Sequence, residues 1–491
     1  MKILVGYKSY NDAQQSLRGF LARPKHISNG YRLPVVIVLH DVMGLTDFEI
    51  KRTKFIASNG LIGFGGDIYG KHIKNETLIE GQSCAKVYVE NRNTLLRSRL
   101  NAAINFVKTL PFVDCEKIAA IGFGFGGLCV LDCARNNLGI KCGVVFHGHL
   151  EPMHDYISVD PIEAKLLVCY GDQDTNREND QEVENLLVEL RDRRADFQFV
   201  RYSNVEDDFS LAAATPELTT NAMHSKKADK RSSQSIKMSI VCERKTYKDG
   251  DKELEGVLCY PKNASGKLPT VLVWHAFLGL SEHDEAIAKK LAEIGFLAFA
   301  ANVYGKGVLY KTREEGFAAL NEYRTARSTL LRGRLLAALN FVKTLPNVDH
   351  QKIASIGFCF GGMCSLDLAR INSGISCAVS FHGAFQPIDG ETDFASMDPI
   401  KAKLLICHGD EDQHVNPTVD AFIDELRARN ADFQFVRYSH AKHGFTMESH
   451  KNDTMPGIGY HELTKNRSYA AMLLLFNELY GLPKLEHLHK L

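Results

Sequence analysis

Two kinds of segment alternate along much of the chain. Short apolar runs rich in branched and aromatic side chains occur at 269–275 (PTVLVWH), 296–302 (FLAFAAN), 352–358 (KIASIGF), 377–383 (CAVSFHG), 402–409 (AKLLICHG) and 433–439 (FQFVRYS). Between them lie stretches with apolar positions at helical spacing: 284–295 (DEAIAKKLAEIG), 329–345 (TLLRGRLLAALNFVKTL), 361–372 (GGMCSLDLARIN) and 419–430 (VDAFIDELRARN). Continuous apolar strands separated by amphipathic helices predict a parallel sheet with helices on both faces. The fold class is α/β in three layers. In such sheets the chemistry gathers beyond the carboxyl ends of the strands.

The pattern occurs twice. Residues 93–127 align without gaps on 328–362, and 26 of 35 positions are identical. The register extends outward: LPVVIVLHDVMGL (33–45) matches LPTVLVWHAFLGL (268–280), FHG recurs at 146–148 and 381–383, and ADFQFVRYS recurs at 195–203 and 431–439. A period of 235 residues is a whole domain, so the chain is a tandem duplication. The expected boundaries are a first domain over 1–215, a polar Ser- and Lys-rich linker over 216–238, and a second domain over 239–485. Only the second copy continues past the repeat, through 442–481, and roughly 463–480 has helical spacing.

Composition narrows the function classes. The 59 basic and 59 acidic residues balance, which argues against a sequence-blind nucleic-acid binder. No run approaches the ~20 apolar residues of a membrane span. The start, MKILVGYKSYNDAQ, turns polar at once and lacks the apolar core of a signal peptide, so a cytoplasmic location is expected. The 12 cysteines show no CxxC pairing, and a disulfide framework is not expected in a reducing compartment. Cys129, Cys133, Cys169, Cys364, Cys377 and Cys407 lie in apolar runs and read as buried small hydrophobes.

Candidate chemistry sits at the strand ends of the second copy. IASIGFCFGGMC reads as strand, sharp turn, then helix, with Cys359 at the turn. Gly357 and Gly361 remove Cβ atoms that would block such a turn. The helix that follows points its positive end at residue 359, which favours a thiolate. After AKLLICHG come Asp410, Glu411 and Asp412; after FQFVRYS come His440 and His443. Nucleophile, acid and base thus follow one another in the order of an α/β-hydrolase. His275, His382 and His408 also end strands, but no HxH or HExxH spacing supports a metal site, and no cofactor is expected.

On GFCFGG (357–362), HGDEDQHV (408–415) and HAKHGF (440–445), the chain resembles the dienelactone hydrolase family, α/β-hydrolases with a Cys nucleophile. The resemblance implies two tandem α/β-hydrolase domains, each a mostly parallel sheet flanked by helices. It also implies Cys359 as nucleophile, Asp412 as acid and His443 as base, with an oxyanion hole from the backbone N–H groups of Phe277 and Phe360. His275, Tyr304 and Phe445 are candidates for contact with substrate. Where well-known members carry a Glu after the first of these strands, this chain has Ala276. Arg313 and Arg324 fall in the region of the family's carboxylate-binding arginines and read as surface helix charge.

The first copy departs at the same positions. Gly124 replaces the nucleophile, Asp207 stands where the base would be, and Asp174 keeps the acid. Asp41 stands at the family Glu position with no nucleophile to serve. The expected function is hydrolysis of a small ester or lactone by the second domain, with a structural first domain. Two other readings stay open: a general carboxylesterase or thioesterase, and an inactive tandem scaffold. The expected partner is the small-molecule substrate, with no nucleic acid and no membrane. The two domains packing together and a homodimer are both open.

Overall fold

The computed structural model describes residues 1–12, 15–28, 30–152, 160–172, 177–203, 205 and 239–481. The chain divides into two compact units, Met1–Asp229 and Lys230–Leu491.

Unit 1 begins with an antiparallel hairpin, β1 (Ile3–Asn11) and β2 (Ser16–Pro24), followed by β3 (Leu33–Leu39), α1 (Asp47–Ser58), β4 (Ile62–Gly66), α2 (Leu78–Glu90) and α3 (Arg97–Lys108). It continues with β5 (Val113–Phe123), α4 (Phe125–Arg135), β6 (Cys142–Phe146), β7 (Lys165–Gly171), α5 (Arg177–Asp192) and β8 (Phe197–Tyr202). Its strands lie in the order β1-β2-β4-β3-β5-β6-β7-β8, parallel from β4 onward.

Unit 2 repeats this plan. Its elements are β9 (Ile240–Asp249), β10 (Lys252–Pro261), β11 (Leu268–Trp274), α6 (Glu282–Glu293), β12 (Leu297–Ala301), α7 (Arg313–Thr325) and α8 (Arg332–Lys343). Then follow β13 (Val348–Phe358), α9 (Phe360–Arg370), β14 (Cys377–Phe381), β15 (Lys403–Gly409), α10 (Val419–Ala428), β16 (Phe433–Tyr438) and α11 (Glu462–Tyr480). The strand order is β9-β10-β12-β11-β13-β14-β15-β16. Each central strand is apolar throughout because helices cover both its faces: Val271, Leu272, Val273 and Trp274 on β11 are all fully buried.

The six apolar runs all form strands, as the pattern predicts. The hairpins β1–β2 and β9–β10 do not show in that pattern, because an edge hairpin alternates buried and exposed positions. Helix α7 is also missed. Its buried face is built from Gly316, Ala319 and Tyr323, too small a stripe to register as amphipathic. Its start is legible in retrospect: Thr312 and Glu315 form a capping box. The stretch 329–345 is not one uniform helix either. A π-turn at Arg327–Leu331 precedes α8, and the same turn stands at Arg92–Leu96 in unit 1.

One expectation is corrected. Cys242 and Cys259 face each other across β9 and β10 and are joined as a disulfide. The cause is register, which sequence spacing does not reveal: the two Cα atoms are 4.2 Å apart, close enough for a bridge. The equivalent cross-strand pair in unit 1 is Val5 and Ala22. Ten other cysteines are free, and the six expected in the core are buried. No helix among the described residues is long and apolar enough to cross a membrane.

Each unit also carries a buried ionic network beneath the helix that follows its central strand. In unit 2, Arg370 donates two hydrogen bonds to Glu425, at 2.8 and 2.6 Å, and a third to Asp367 at 3.2 Å. Arg327, delivered by the π-turn, also pairs with Asp367 and donates to the carbonyls of Gln386 and Pro387. In unit 1 the same places hold Arg135, Glu189, Asp132 and Arg92. A buried pair adds little net stability while intact, but removing one partner strands the other charge. Arg370→Ala is therefore expected to cost unit 2 about 3–5 kcal/mol. Urea unfolding followed by emission from Trp274, the chain's single tryptophan, measures it, because Trp274 reports unit 2 alone.

Candidate active site

The nucleophile position is made by a strand that meets its helix with no room for side chains. A Cβ on Gly357 would lie 1.9 Å from the Gly361 carbonyl oxygen, and one on Gly361 would lie 2.1 Å from the Trp274 carbonyl oxygen. Real contacts are never that short, so only glycine fits either place. The chain turns between them at Cys359, with φ 54° and ψ −111°. That left-handed backbone is costly for a residue with a side chain. It throws the thiol outward at the head of α9 while the turn itself stays packed on β11.

The acid and base arrive from strands further along the sheet. Asp412 follows β15 and is fully buried. Its Oδ1 accepts the N–H groups of His414 and Val415, each at 3.1 Å, which fixes the carboxylate. Its Oδ2 lies 2.7 Å from His443 Nδ1. On the other side of the ring, His443 Nε2 lies 3.0 Å from Cys359 Sγ. The three residues form one continuous line of contacts.

The loop that carries His443 is held by the extension that follows the repeat. His443 donates its N–H to the Gly457 carbonyl at 2.8 Å and accepts from Gly459 N–H at 3.0 Å, and Phe445 accepts from His461 N–H at 3.0 Å. The extension occurs only in the copy that has a His at this place.

Electrostatics favour an imidazolium at His443. Burial alone pushes its pKa down, but Cys359 and the hydrogen-bonded Asp412 outweigh burial and hold it well above the usual value. For Asp412, burial pushes up, and the hydrogen bond and charge of His443 more than offset it, so the carboxyl titrates below its ordinary range. The sign for His443 follows from its raised value. Its stabilising charge contribution is fully present below the unfolded value of ~6.5 and is lost as pH rises through the folded one.

The remaining expected residues separate into two groups. Phe360 follows Cys359 and Phe277 follows Ala276 in the loop after β11, and among the described residues no protein group accepts either backbone N–H. Tyr304 stacks on Phe360 with ring centroids 5.6 Å apart, and its hydroxyl donates to the Phe277 carbonyl at 2.8 Å, orienting that loop. His275 and Phe445 form the other group. Both are fully buried, and His275 spends Nδ1–H on the Ala276 carbonyl and accepts Val303 N–H at Nε2. Burial takes its pKa down to about 4. Asp410 faces Arg437, and the exposed His440 faces Glu411, so neither joins the line. Arg313 is paired with Asp453, and Arg324 is a surface residue of α7. Among the described residues no group of three His, Cys, Asp or Glu is placed to hold a metal ion.

In unit 1 the same turn is intact and closed. Gly124 adopts φ 52°, within two degrees of Cys359. Asp41 is not without a partner, as the sequence suggested: its Oδ1 accepts the Phe125 N–H at 2.9 Å. A Cβ on Gly124 would meet that Asp41 oxygen at 2.2 Å. The carboxylate thus covers the amide equivalent to Phe360 N–H and crowds the nucleophile position. Asp174 and Asp207 lie outside the described residues.

Cys359, in contact with His443, is expected to be alkylated by iodoacetamide, with its tryptic peptide followed by mass. His443→Ala, which removes the facing imidazolium, should slow that reaction about tenfold or more.

A model of the dienelactone hydrolase family matches residues 17–238 and 254–480. The Caenorhabditis elegans protein named "Uncharacterized protein K02A2.1" is 42% identical over 163 residues, which is 32% of this chain and 98% of that one. Of the solved structures, the one named "m3DLH" is 34% identical, covers 49% of this chain and 98% of its own, and has a TM-score of 0.46. The dienelactone hydrolase-like promiscuous phosphotriesterase P91, from metagenomic libraries, is 32% identical, covers 49% of this chain and 99% of its own, and has a TM-score of 0.46. With both copies matched, the chain belongs to the dienelactone hydrolase family, a tandem α/β-hydrolase that acts on ester bonds.

Proposed function

We propose that a domain over about 239–485, within unit 2, hydrolyses a small ester or lactone through a thioester on Cys359, and that a domain over about 1–215, within unit 1, contributes no chemistry. The observation that carries the reading is the line Asp412–His443–Cys359, at 2.7 and 3.0 Å. The Cys359 thiolate attacks the carbonyl carbon and forms a carbon–sulfur bond. The negative charge that develops on the carbonyl oxygen is met by the N–H groups of Phe277 and Phe360, with each such donor contributing roughly 3–4 kcal/mol. His443 passes its proton to the leaving alkoxide as the ester bond breaks. The same ring then takes a proton from water, whose oxygen attacks the thioester and releases the acid and the thiolate. No metal or organic cofactor enters these steps.

The closed turn of unit 1 supports its assignment as a non-catalytic domain, because Asp41 covers the amide an oxyanion would need. Ala276 supports a second reading of the substrate. Without the family carboxylate at that place, the thiol is not held by an acid beside it, and a broad carboxylesterase or thioesterase range fits such a site. A scaffold without activity is the outcome if Cys359 never acylates. A cytoplasmic setting belongs to the proposal: the free and partly exposed Cys84, Cys115 and Cys142 support a reducing compartment, and the Cys242–Cys259 disulfide weighs against one. Cell fractionation that found the protein in a secretory compartment would overturn that part.

Short-chain p-nitrophenyl esters are the first substrates to test, beside lactones and acyl thioesters. Cys359→Ala is expected to abolish turnover, and Asp412→Asn to lower kcat by about 10³–10⁴, as expected when the base loses its orienting carboxylate. Equal rates in wild type and Cys359→Ala would sink the proposal. In the Cys359→Ala background, Gly124→Cys is expected to restore nothing, because Asp41 stands in the way of the added side chain. Measurable turnover in that double variant would show unit 1 to be latent rather than closed.

A further inference from the structure

Cys359 and His443 come from opposite ends of a four-strand span. Cys359 follows β13, His443 follows β16, and β14 and β15 lie between them. Their 3.0 Å approach therefore needs something to tie the turn to the loop. Asp412 and the backbone of residues 457–459 fix the His443 side of the pair. Neither touches the Cys359 turn.

His382 touches both. It is the first residue after β14, next to β13 in the sheet, and it is fully buried. Its φ of 41° is unusual for a residue with a side chain and turns the ring back toward the nucleophile. Nδ1 accepts the Cys359 N–H at 3.2 Å, a hydrogen shared with the Phe381 carbonyl at 3.0 Å. An acceptor nitrogen carries no hydrogen, so the hydrogen of the neutral ring sits on Nε2. Nε2 donates to Thr446 Oγ1 at 2.8 Å. Thr446 lies three residues beyond His443 on the base loop and is fully buried. The ring also meets Phe445 edge-on at 5.0 Å and His443 at 5.5 Å. Burial and the charge of nearby His443 push the His382 pKa well below the usual value, so the ring stays neutral and keeps this arrangement of donor and acceptor.

We infer that His382 is a positioning residue, a neutral imidazole that spans the nucleophile turn and the base loop and sets the distance between Cys359 and His443. It touches no reacting atom. Unit 1 keeps His147 with φ 40°, so the bend belongs to the fold. The function lies in the second link, through Thr446. This inference rests on unit 2 being the working site.

The test uses the full chain with Thr446→Val, Thr446→Ser and His382→Asn. Asn tolerates the left-handed backbone and keeps an acceptor toward the Cys359 N–H, but is too short for Thr446. Two readouts are taken: kcat and KM on p-nitrophenyl acetate, and the rate of Cys359 alkylation by iodoacetamide at pH 7. Trp274 emission checks that each variant is folded. Thr446→Val is expected to lower kcat and alkylation about tenfold, the scale of a small misplacement of reacting groups, with KM within about twofold. Thr446→Ser should restore both, and His382→Asn should behave like Thr446→Val. Thr446→Val indistinguishable from wild type in both readouts would overturn the inference, as would a loss that Thr446→Ser does not restore. If the wild type fails to hydrolyse esters, the proposed function falls, while the alkylation arm still decides the role of His382.

Discussion

Everything at the site depends on one steric fact: the carbonyl of Gly361 and the α-carbon of Gly357 sit where no Cβ could come between them. That contact lets α9 start directly against the end of β13 and forces the residue between into a left-handed turn. A side chain there cannot pack inward, so in unit 2 it is presented to His443. The same closeness at Gly122 and Gly126 in unit 1, where a Cβ would fall 2.0 Å and 2.2 Å from backbone oxygens, shows that the contact belongs to the fold and not to the chemistry. Chemistry depends on what is placed at the turn and on what faces it.

The two copies show how little has to change for a site to close. Gly124 relieves the backbone strain that Cys359 bears. With no side chain at 124, Asp41 can lie across the turn and satisfy the Phe125 N–H. A buried amide left without an acceptor costs free energy, so a glycine at 124 and a carboxylate across the turn suit each other. In unit 2 the opposite choice holds. Ala276 offers no acceptor, and among the described residues no protein group accepts the Phe360 N–H. The ionic networks around Asp132 and Asp367 are kept in both copies, because removing one of their charges would destabilise either unit.

Much of the fold could be read from periodicity, and the reasons are local. β11 is buried on both faces, so its residues are apolar without interruption, and α10 shows a clear stripe. Helix α7 hid because its packed face is Gly, Ala and Tyr, and the hairpins hid because an edge hairpin alternates. At the site, the turn glycines, Cys359, Asp412 and His443 were legible, since each follows a strand that the pattern marks. The burial of His275 and Phe445 was not legible for the same reason: position after a strand says where the backbone is, not which way the ring faces. His382 was visible only as part of FHG.

The sequence alone determined the duplication, the alternation of strands and helices, the turn at 357–362 and the order of Cys359, Asp412 and His443 at three strand ends. These are encoded by neighbours within a few residues, where period and glycine placement act. Tertiary structure decided the rest. It set Asp41 on the Phe125 amide, residues 457–459 behind His443, His382 between Cys359 and Thr446, and Cys242 opposite Cys259. Each joins elements whose register and side-chain directions are fixed only when the sheet is packed, and no local pattern carries that information.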